Sequence, residues 1–440
     1  VPAFALPGAP PDLLALHNAQ PQRYPFLLQS LGGSGRWDIL FAFPLQHIPY
    51  FSDAENEAFL TRLDRLWRMA AEASPVEPEL PPFPFRGGWF VYCAYELLRE
   101  FEPSVKPRHD ENQSKTQPLA WLARVPAAVI IDREQEQSWF FAEPGHERYF
   151  SDLQQDLAAT SGCPIDLRVD DLQEEDAEQF LQGVRRIKRY IQDGDVFQVN
   201  LARLWRARLS SGNAASLYVR LREKNPAPFA GLADFGGWQI ISSSPERLVS
   251  HRAGVLETRP IAGTHPRAAL PEEDEEVKLA LLSSAKERAE HIMLVDLERN
   301  DLGRICQPGS VMVEELMAVN SYAHVHHIES SIKGRLRDDV TPGQIIRALF
   351  PGGTITGCPK VRTMQIIAEL ETSPRLAYTG SMGYLNHDGS LDLNILIRTF
   401  MLDGERLTFK AGAGIVADSE PDRELAETRA KAKGLLCAIM

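Results

Sequence analysis

Apolar residues in the second half of the chain recur in two rhythms. Phe180, Val184, Ile187 and Ile191 stand at helical spacing and stop at Asp193-Gly194, which predicts an amphipathic helix. Directly after it, Phe197, Val199 and Leu201 alternate with Gln198 and Asn200, the two-residue period of a strand. Gln239 to Ser244 reads as another apolar strand, ending at Ser244-Pro245-Glu246. In the segment Arg259 to Thr264, Pro260 fixes φ and Gly263 permits a close bend. A helix-like stretch from about Glu275 has Leu282, Ala285, Ala289 and Ile292 as its apolar stripe and carries Glu290. Leu393 to Thr399 reads as an apolar strand that holds Arg398, and Glu427 falls in a C-terminal helix.

The first half is less regular. Residues 1–22 are rich in Pro and Ala and predict an irregular arm. Residues 25–32 read as a short buried strand ending in a turn. Phe59, Leu63, Leu66 and Met69 predict a helix within 54–72. The Pro-rich stretch from Pro75 to Phe85 predicts an extended connector. Residues 86–102 begin as a strand and turn into a helix. Residues 103–118 are polar and predict a mobile loop. Residues 119–142 read as two strands joined by a charged turn, and the acidic stretch 163–178 as a link. The chain therefore divides into an N-terminal subdomain, 1–165, and a larger region, 175–440, both packed into one globular unit.

Composition narrows the classes. The chain has 440 residues, 44% of them hydrophobic, enough for a large core. The net charge is −13 with no basic cluster, which disfavours nucleic acid as a partner. An acidic protein with an anionic substrate must concentrate positive charge locally, so individual Arg and Lys residues carry weight. Cys93, Cys163, Cys306, Cys358 and Cys437 form no CxxC pair, so neither a disulfide framework nor a zinc site is indicated. No apolar run approaches the roughly 18 residues that span a bilayer. The N-terminal residues lack a basic segment followed by a long apolar one. These features predict a reduced, cytoplasmic protein without a membrane partner.

The chemistry-bearing segments fall in a fixed order: Ser244 to Arg247, Arg259 to Thr264, Ala285 to Arg304, Pro351 to Lys360, Ile397 to Thr399 and Ala411 to Ser419. The Gly-rich turn before Lys360 lacks Gly-Lys-Ser/Thr, so it is not a nucleotide loop. In this order the segments resemble the chorismate-utilising enzymes, a family that includes anthranilate, aminodeoxychorismate, isochorismate and salicylate synthases. The resemblance covers roughly 175–437 strongly and the N-terminal part more loosely. It implies an α+β fold, two large, mostly antiparallel sheets packed as a sandwich with helices outside. The N-terminal half is expected to build one sheet and the C-terminal half most of the other.

The resemblance also implies roles for single residues. Glu290 and Glu427 would bind Mg²⁺, which favours one or two protein carboxylates plus water and substrate oxygens. Arg398, Tyr378 and the backbone of Gly414 would hold a substrate carboxylate, with Lys431 nearby. Glu246 would be the acid that protonates the departing hydroxyl, and burial should raise its pKa. His327 would lie beside the ring. Gly263 and Thr264 would contact substrate, and Thr356 and Gly357 would shape the opposite wall. Leu28 and Ser30 match part of a tryptophan pocket. Water-using relatives place a lysine base where this chain has Gln198. Glutamine cannot deprotonate water, so ammonia is the expected nucleophile. Phe197 to Ala202, Asn225 to Ala230 and Val325 to His327 resemble the enzymes that replace the chorismate 4-hydroxyl with an amino group, en route to 4-aminobenzoate and folate. Ala262, where those enzymes carry lysine, matches the alternative, formation of anthranilate with loss of pyruvate. None of the five cysteines lies in a glutaminase nucleophile turn. Ammonia is therefore expected free in solution or from a separate glutamine amidotransferase subunit.

Overall fold

The computed structural model describes all residues except 1–2, 33–34, 52–56, 74–82, 107–116, 269 and 322–324. Among the described residues, strands rich in aromatic and branched residues build one sheet of twelve strands and a second of ten. Their pairings are antiparallel. Phe26, Phe41, Phe90, Tyr92, Trp121, Trp238 and Met401 come from strands of both sheets and form one buried layer. Helices Leu13–Ala19, Ala214–Lys224 and Pro421–Ile439 share a core with the first sheet. Helices Phe59–Ala73, Ala285–Gly303 and Pro342–Leu349 do the same for the second. The expected α+β sandwich is the observed architecture.

The two halves of the chain do not build one sheet each. Phe26–Gln29 pairs with Phe229–Asp234 in the first sheet. Gly88–Cys93 pairs with Ser381–Asn386 in the second. An N-terminal strand left unpaired would expose a row of backbone donors and acceptors, and the C-terminal strands cover it.

Other expectations also change. The described part of residues 1–22 is not an irregular arm. Ala3–Leu6 is a strand on Gln137–Ala142, and Leu13–Ala19 is a helix capped by the Asp12 carboxylate. Leu13, Leu14 and Leu16 are buried, so the leucines outweigh the proline-rich flanks. Residues 119–142 hold three strands, because Pro126 carries the chain from Ala120–Val125 in the second sheet to Ala127–Asp132 in the first. Within 163–178, Arg168–Glu174 is a strand beside Gln198–Ser211; its acidic residues suit an exposed position. The stretch from Glu275 splits into Pro271–Ser283 and Ala285–Gly303. Ser284 ends the first helix and caps the second, accepting from Glu287 N–H at 3.3 Å. The break resets the helical register, so His291, Leu294 and Val295 are buried, while Ala289 and Ile292 are exposed. Met69 and Phe197 also lie exposed, outside the stripes assigned to them. Most of the Pro75–Phe85 connector and of the 103–118 loop lies outside the described residues.

Two sheet crossings position the chemistry. The first runs from Trp238–Ser244 in the first sheet to Arg247–Arg252 in the second, with Pro245 and Glu246 between them. The second runs from Leu391–Asn394 back to Thr399–Asp403, with Arg398 at its end. Arg398 is therefore not a strand residue, and its φ is +51°. Such a backbone costs about 1–3 kcal/mol and is held by its surroundings. The crossings clasp one another. Ile395 N–H donates to Glu246 O at 3.0 Å, and Ser243 N–H donates to Arg398 O at 3.1 Å.

Candidate active site

Glu246 is buried at the first crossing. Thr354 Oγ1 donates to its Oε1 at 2.6 Å, and the Ile261 backbone N–H also reaches the carboxylate. Burial outweighs both bonds and, with nearby Glu329, pushes the pKa up to about 7. The carboxyl can therefore carry a proton near neutral pH. Arg398 faces the same space and has no ion pair among the described residues. Burial lowers its pKa, and Glu246 opposes that shift.

The second sheet supplies another wall. Ile261–Pro266 runs antiparallel to Val325–Arg335, with a bulge between Ala262 and Thr264. Gly263 sits in that bulge at φ +64°, and a Cβ there would come within 2.9 Å of both Glu287 and Leu281. Thr264 stands opposite His327 in register; its side chain lies outside the description. His327 is buried, and its ring bonds to the Gly263 backbone. Burial, followed by the Arg398 charge, pulls its pKa down to about 4, so it is neutral at physiological pH.

The first sheet supplies the floor. Gln198 Nε2 donates to Glu290 Oε1 at 2.6 Å. Burial raises the Glu290 pKa, and Glu287 and Glu427 raise it further, with Lys431 opposing. Glu427 and Lys431, one helical turn apart, form an ion pair at 2.7 Å and are half exposed. Tyr378 is buried, and its hydroxyl would lie 2.8 Å from a Cβ on Gly412. A Cβ on Gly414 would meet Gln198 Nε2 at 2.5 Å. Gly357, at φ +128°, brings its backbone against Gln198 O, where a Cβ would sit 2.2 Å away. Thr356 Oγ1 donates to Gly352 O at 2.9 Å, so its hydroxyl braces the turn.

The carboxylates suit a divalent cation. Glu290 has two like-charged neighbours, and the cation acting on it, Lys431, is already paired with Glu427. Among the described residues, no three His, Cys, Asp or Glu side chains form a ready-made cage. Two carboxylates with water and substrate oxygens match the habit of Mg²⁺.

Leu28 and Ser30 line a different space, a cavity of ≈ 300 Å³ also bordered by Pro228, Arg247, Asp392 and Ile261. It holds neither Glu246 nor Arg398, yet it shares Ile261 with the acid's hydrogen-bond shell.

Several residues escaped the sequence reading. Thr354 lies in the same Gly-rich turn as Thr356, and nothing in the pattern tells which threonine faces the acid. Glu298 is buried, its pKa is pushed up to about 8, and Glu246 contributes to that shift. Nothing in the helical pattern sets it apart from exposed neighbours such as Asp296. His326 bonds to Asp274 and Ser321, each at 2.8 Å, and so ties the helix from Pro271 to the second sheet.

The two-sheet α+β fold is shared with a solved synthase. Anthranilate synthase component I from Streptococcus pneumoniae TIGR4 superposes with a TM-score of 0.79 at 32% identity, covering 91% of this chain and 92% of that one. The chain belongs to the chorismate binding enzymes, whose family profile matches residues 24–437. An anthranilate synthase component I-like protein of Synechocystis is 41% identical over 81% of this chain and 73% of its own length. Aminodeoxychorismate synthase component 1 of Bacillus subtilis is 44% identical over 72% of this chain and 61% of its own length. No helix among the described residues is long and apolar enough to cross a membrane.

Proposed function

We propose that this chorismate-utilising enzyme replaces the 4-hydroxyl of chorismate with an amino group taken from ammonia, as an aminodeoxychorismate synthase. The likeness of Phe197 to Ala202, Asn225 to Ala230 and Val325 to His327 to the 4-aminating enzymes supports the position, and the observation that supports ammonia as nucleophile is Gln198. A neutral amide, bonded to Glu290 at 2.6 Å, stands where water-using relatives place a base. Ammonia needs no base to attack; water does.

Arg398, Tyr378 and the Gly414 backbone hold one carboxylate of the substrate. Lys431 adds positive charge, and Glu290 and Glu427 hold Mg²⁺. The ion, when bound, neutralises the ring carboxylate. Glu246 starts protonated and gives its proton to the leaving hydroxyl, which departs as water. The C–O bond breaks, ammonia forms the C–N bond, and the proton shed by the new ammonium restores Glu246. Neutral His327 borders the leaving group, Gly263 and Thr264 contact the ring, and Thr356 and Gly357 support the wall behind Gln198. The ammonia is free or comes from a separate glutamine amidotransferase. The cavity at Leu28 and Ser30 is proposed as a tryptophan pocket, tested by whether tryptophan raises the unfolding temperature.

A second reading, anthranilate formation, is favoured by Ala262. It is buried in the bulge and offers no nucleophile. Incubation with chorismate, Mg²⁺ and ammonium salt, with and without the lyase that acts on aminodeoxychorismate, separates the two. 4-Aminobenzoate appearing only with the lyase supports the first. Direct anthranilate fluorescence replaces it with the second.

A further inference from the structure

Gln198 and Asn200 project from the same face of the strand Gln198–Ser211. Opposite them runs Arg406–Ile415, with Asn200 in register with Gly414 and Ala202 with Gly412. Two glycines therefore stand where side chains would otherwise fill the space. A Cβ on Gly412 would come within 2.6 Å of Asn200 Oδ1. One on Gly414 would come within 2.5 Å of Gln198 Nε2.

Both amide oxygens over this floor, Gln198 Oε1 and Asn200 Oδ1, are buried without a hydrogen-bond partner. Buried acceptors are seldom left so, since each costs about 1–3 kcal/mol. Gln198 itself is only 3% exposed. The Asn200 backbone is clamped on both sides. Its N–H donates to Thr356 O at 2.9 Å, and Arg375 Nη2 donates to its carbonyl at 2.8 Å.

These acceptors select among ligands. A substrate carboxylate would be repelled by two carbonyl-type oxygens. An ammonium ion would be drawn to the Glu290 carboxylate, but Gln198 Nε2 donates to its Oε1. What suits uncharged acceptors beside a glycine floor is a small neutral N–H donor. We propose that Gln198 and Asn200 form an ammonia-binding station, in which their amide oxygens accept N–H bonds and leave the nitrogen lone pair free for the substrate ring. This rests on the reading of ammonia as nucleophile and adds Asn200 as a positioning residue. Amide oxygens do not take the proton, so the bound molecule stays NH₃.

The test splits two Michaelis constants. Asn200→Leu removes the acceptor at similar volume. Loss of one hydrogen bond should raise KM for ammonia about tenfold. KM for chorismate should rise clearly less, because Arg398, Tyr378 and the Gly414 backbone still hold the carboxylate beside Asn200 and none of them is altered. If the leucine variant does not fold, Asn200→Ala carries the same expectation. An equal rise in the chorismate KM would make Asn200 a substrate-pocket residue and overturn the station. An unmoved ammonia KM would overturn it too. A native chain that forms no aminated product would defeat the function proposed above and the station with it. Aminated product with an ammonia KM insensitive to Asn200 defeats the station alone.

Discussion

Arg375 and Arg398, which precede and follow the strand Leu391–Asn394 in the chain, are treated in opposite ways. Arg375 is fully buried and saturated. Its guanidinium bonds to both oxygens of Glu371, to Ile355 O at 3.0 Å and to Asn200 O at 2.8 Å. Lys410 joins the same carboxylate at 3.3 Å, and Glu96 of the N-terminal half accepts from the Arg375 and Leu376 backbone N–H groups. Arg398 forms no ion pair among the described residues; Glu246 acts on its charge only from beyond ion-pair distance. A charge that is drawn inward and left open is a receptor for a charge from outside. A charge whose donors are all used is a fastener.

The largest effects should come from exchanging these two arginines for methionine. Arg375→Met strands Glu371 beside Lys410 and should cost about 3–5 kcal/mol in denaturant unfolding. Arg398→Met should leave stability within about 1 kcal/mol and lower kcat/KM for chorismate by roughly 10²–10³-fold. Equal destabilisation by both would erase the contrast.

Next come the carboxylates at the other end of the site. Glu290→Gln and Glu427→Gln should each reduce turnover at least about a hundredfold at saturating Mg²⁺ and weaken its apparent affinity by about tenfold or more. Magnesium titration of activity reads both. A variant with native magnesium dependence would remove that residue from the metal site.

Glu246 contrasts with Glu371 as an unpaired acid against a paired one. Its folded pKa, about 7, exceeds the ordinary carboxylate value, so the folded state binds a proton more tightly than the unfolded one. Stability should therefore fall as pH rises from about 4.5 to 7 and then level off. Glu246→Gln should remove that loss and raise stability at pH 8 by on the order of 2–3 kcal/mol, while activity collapses. In the native enzyme, kcat/KM at constant free ammonia should decline above pH 7. A flat profile would take the acid role away from Glu246.

The smallest expected shift belongs to Thr354. Its hydroxyl lowers the Glu246 pKa, so Thr354→Val should move the alkaline limb of that profile to higher pH by less than about one unit. A covalent route can be checked alongside. Ala262 supplies no nucleophile, so a denaturing mass spectrum of native protein with chorismate and no ammonia should show unmodified chain. An adduct there would mean that another side chain attacks the ring.

The periodicity of Phe180 to Ile191 and the alternation of Val199, Asn200 and Leu201 were readable because each rests on neighbours in sequence. So was the order of the motif segments, and with it the family and its sandwich of sheets. The sheet exchange at Pro126, the break at Ser284 and the open state of Arg398 were not. A crossing depends on which distant strand offers an edge. A helix register after a capped break depends on the sheet it packs against. Whether an arginine is saturated depends on acids brought to it by other elements. Glu246 shows the division most clearly. Its turn, Ser-Pro-Glu, is written in four consecutive letters with Arg247, and the need for a raised pKa followed from the chemistry it resembles. That it is raised follows from burial at a clasp between two crossings 151 residues apart, Ser244 against Ile395, and burial is a property of the fold because desolvation acts only where other chain segments exclude water.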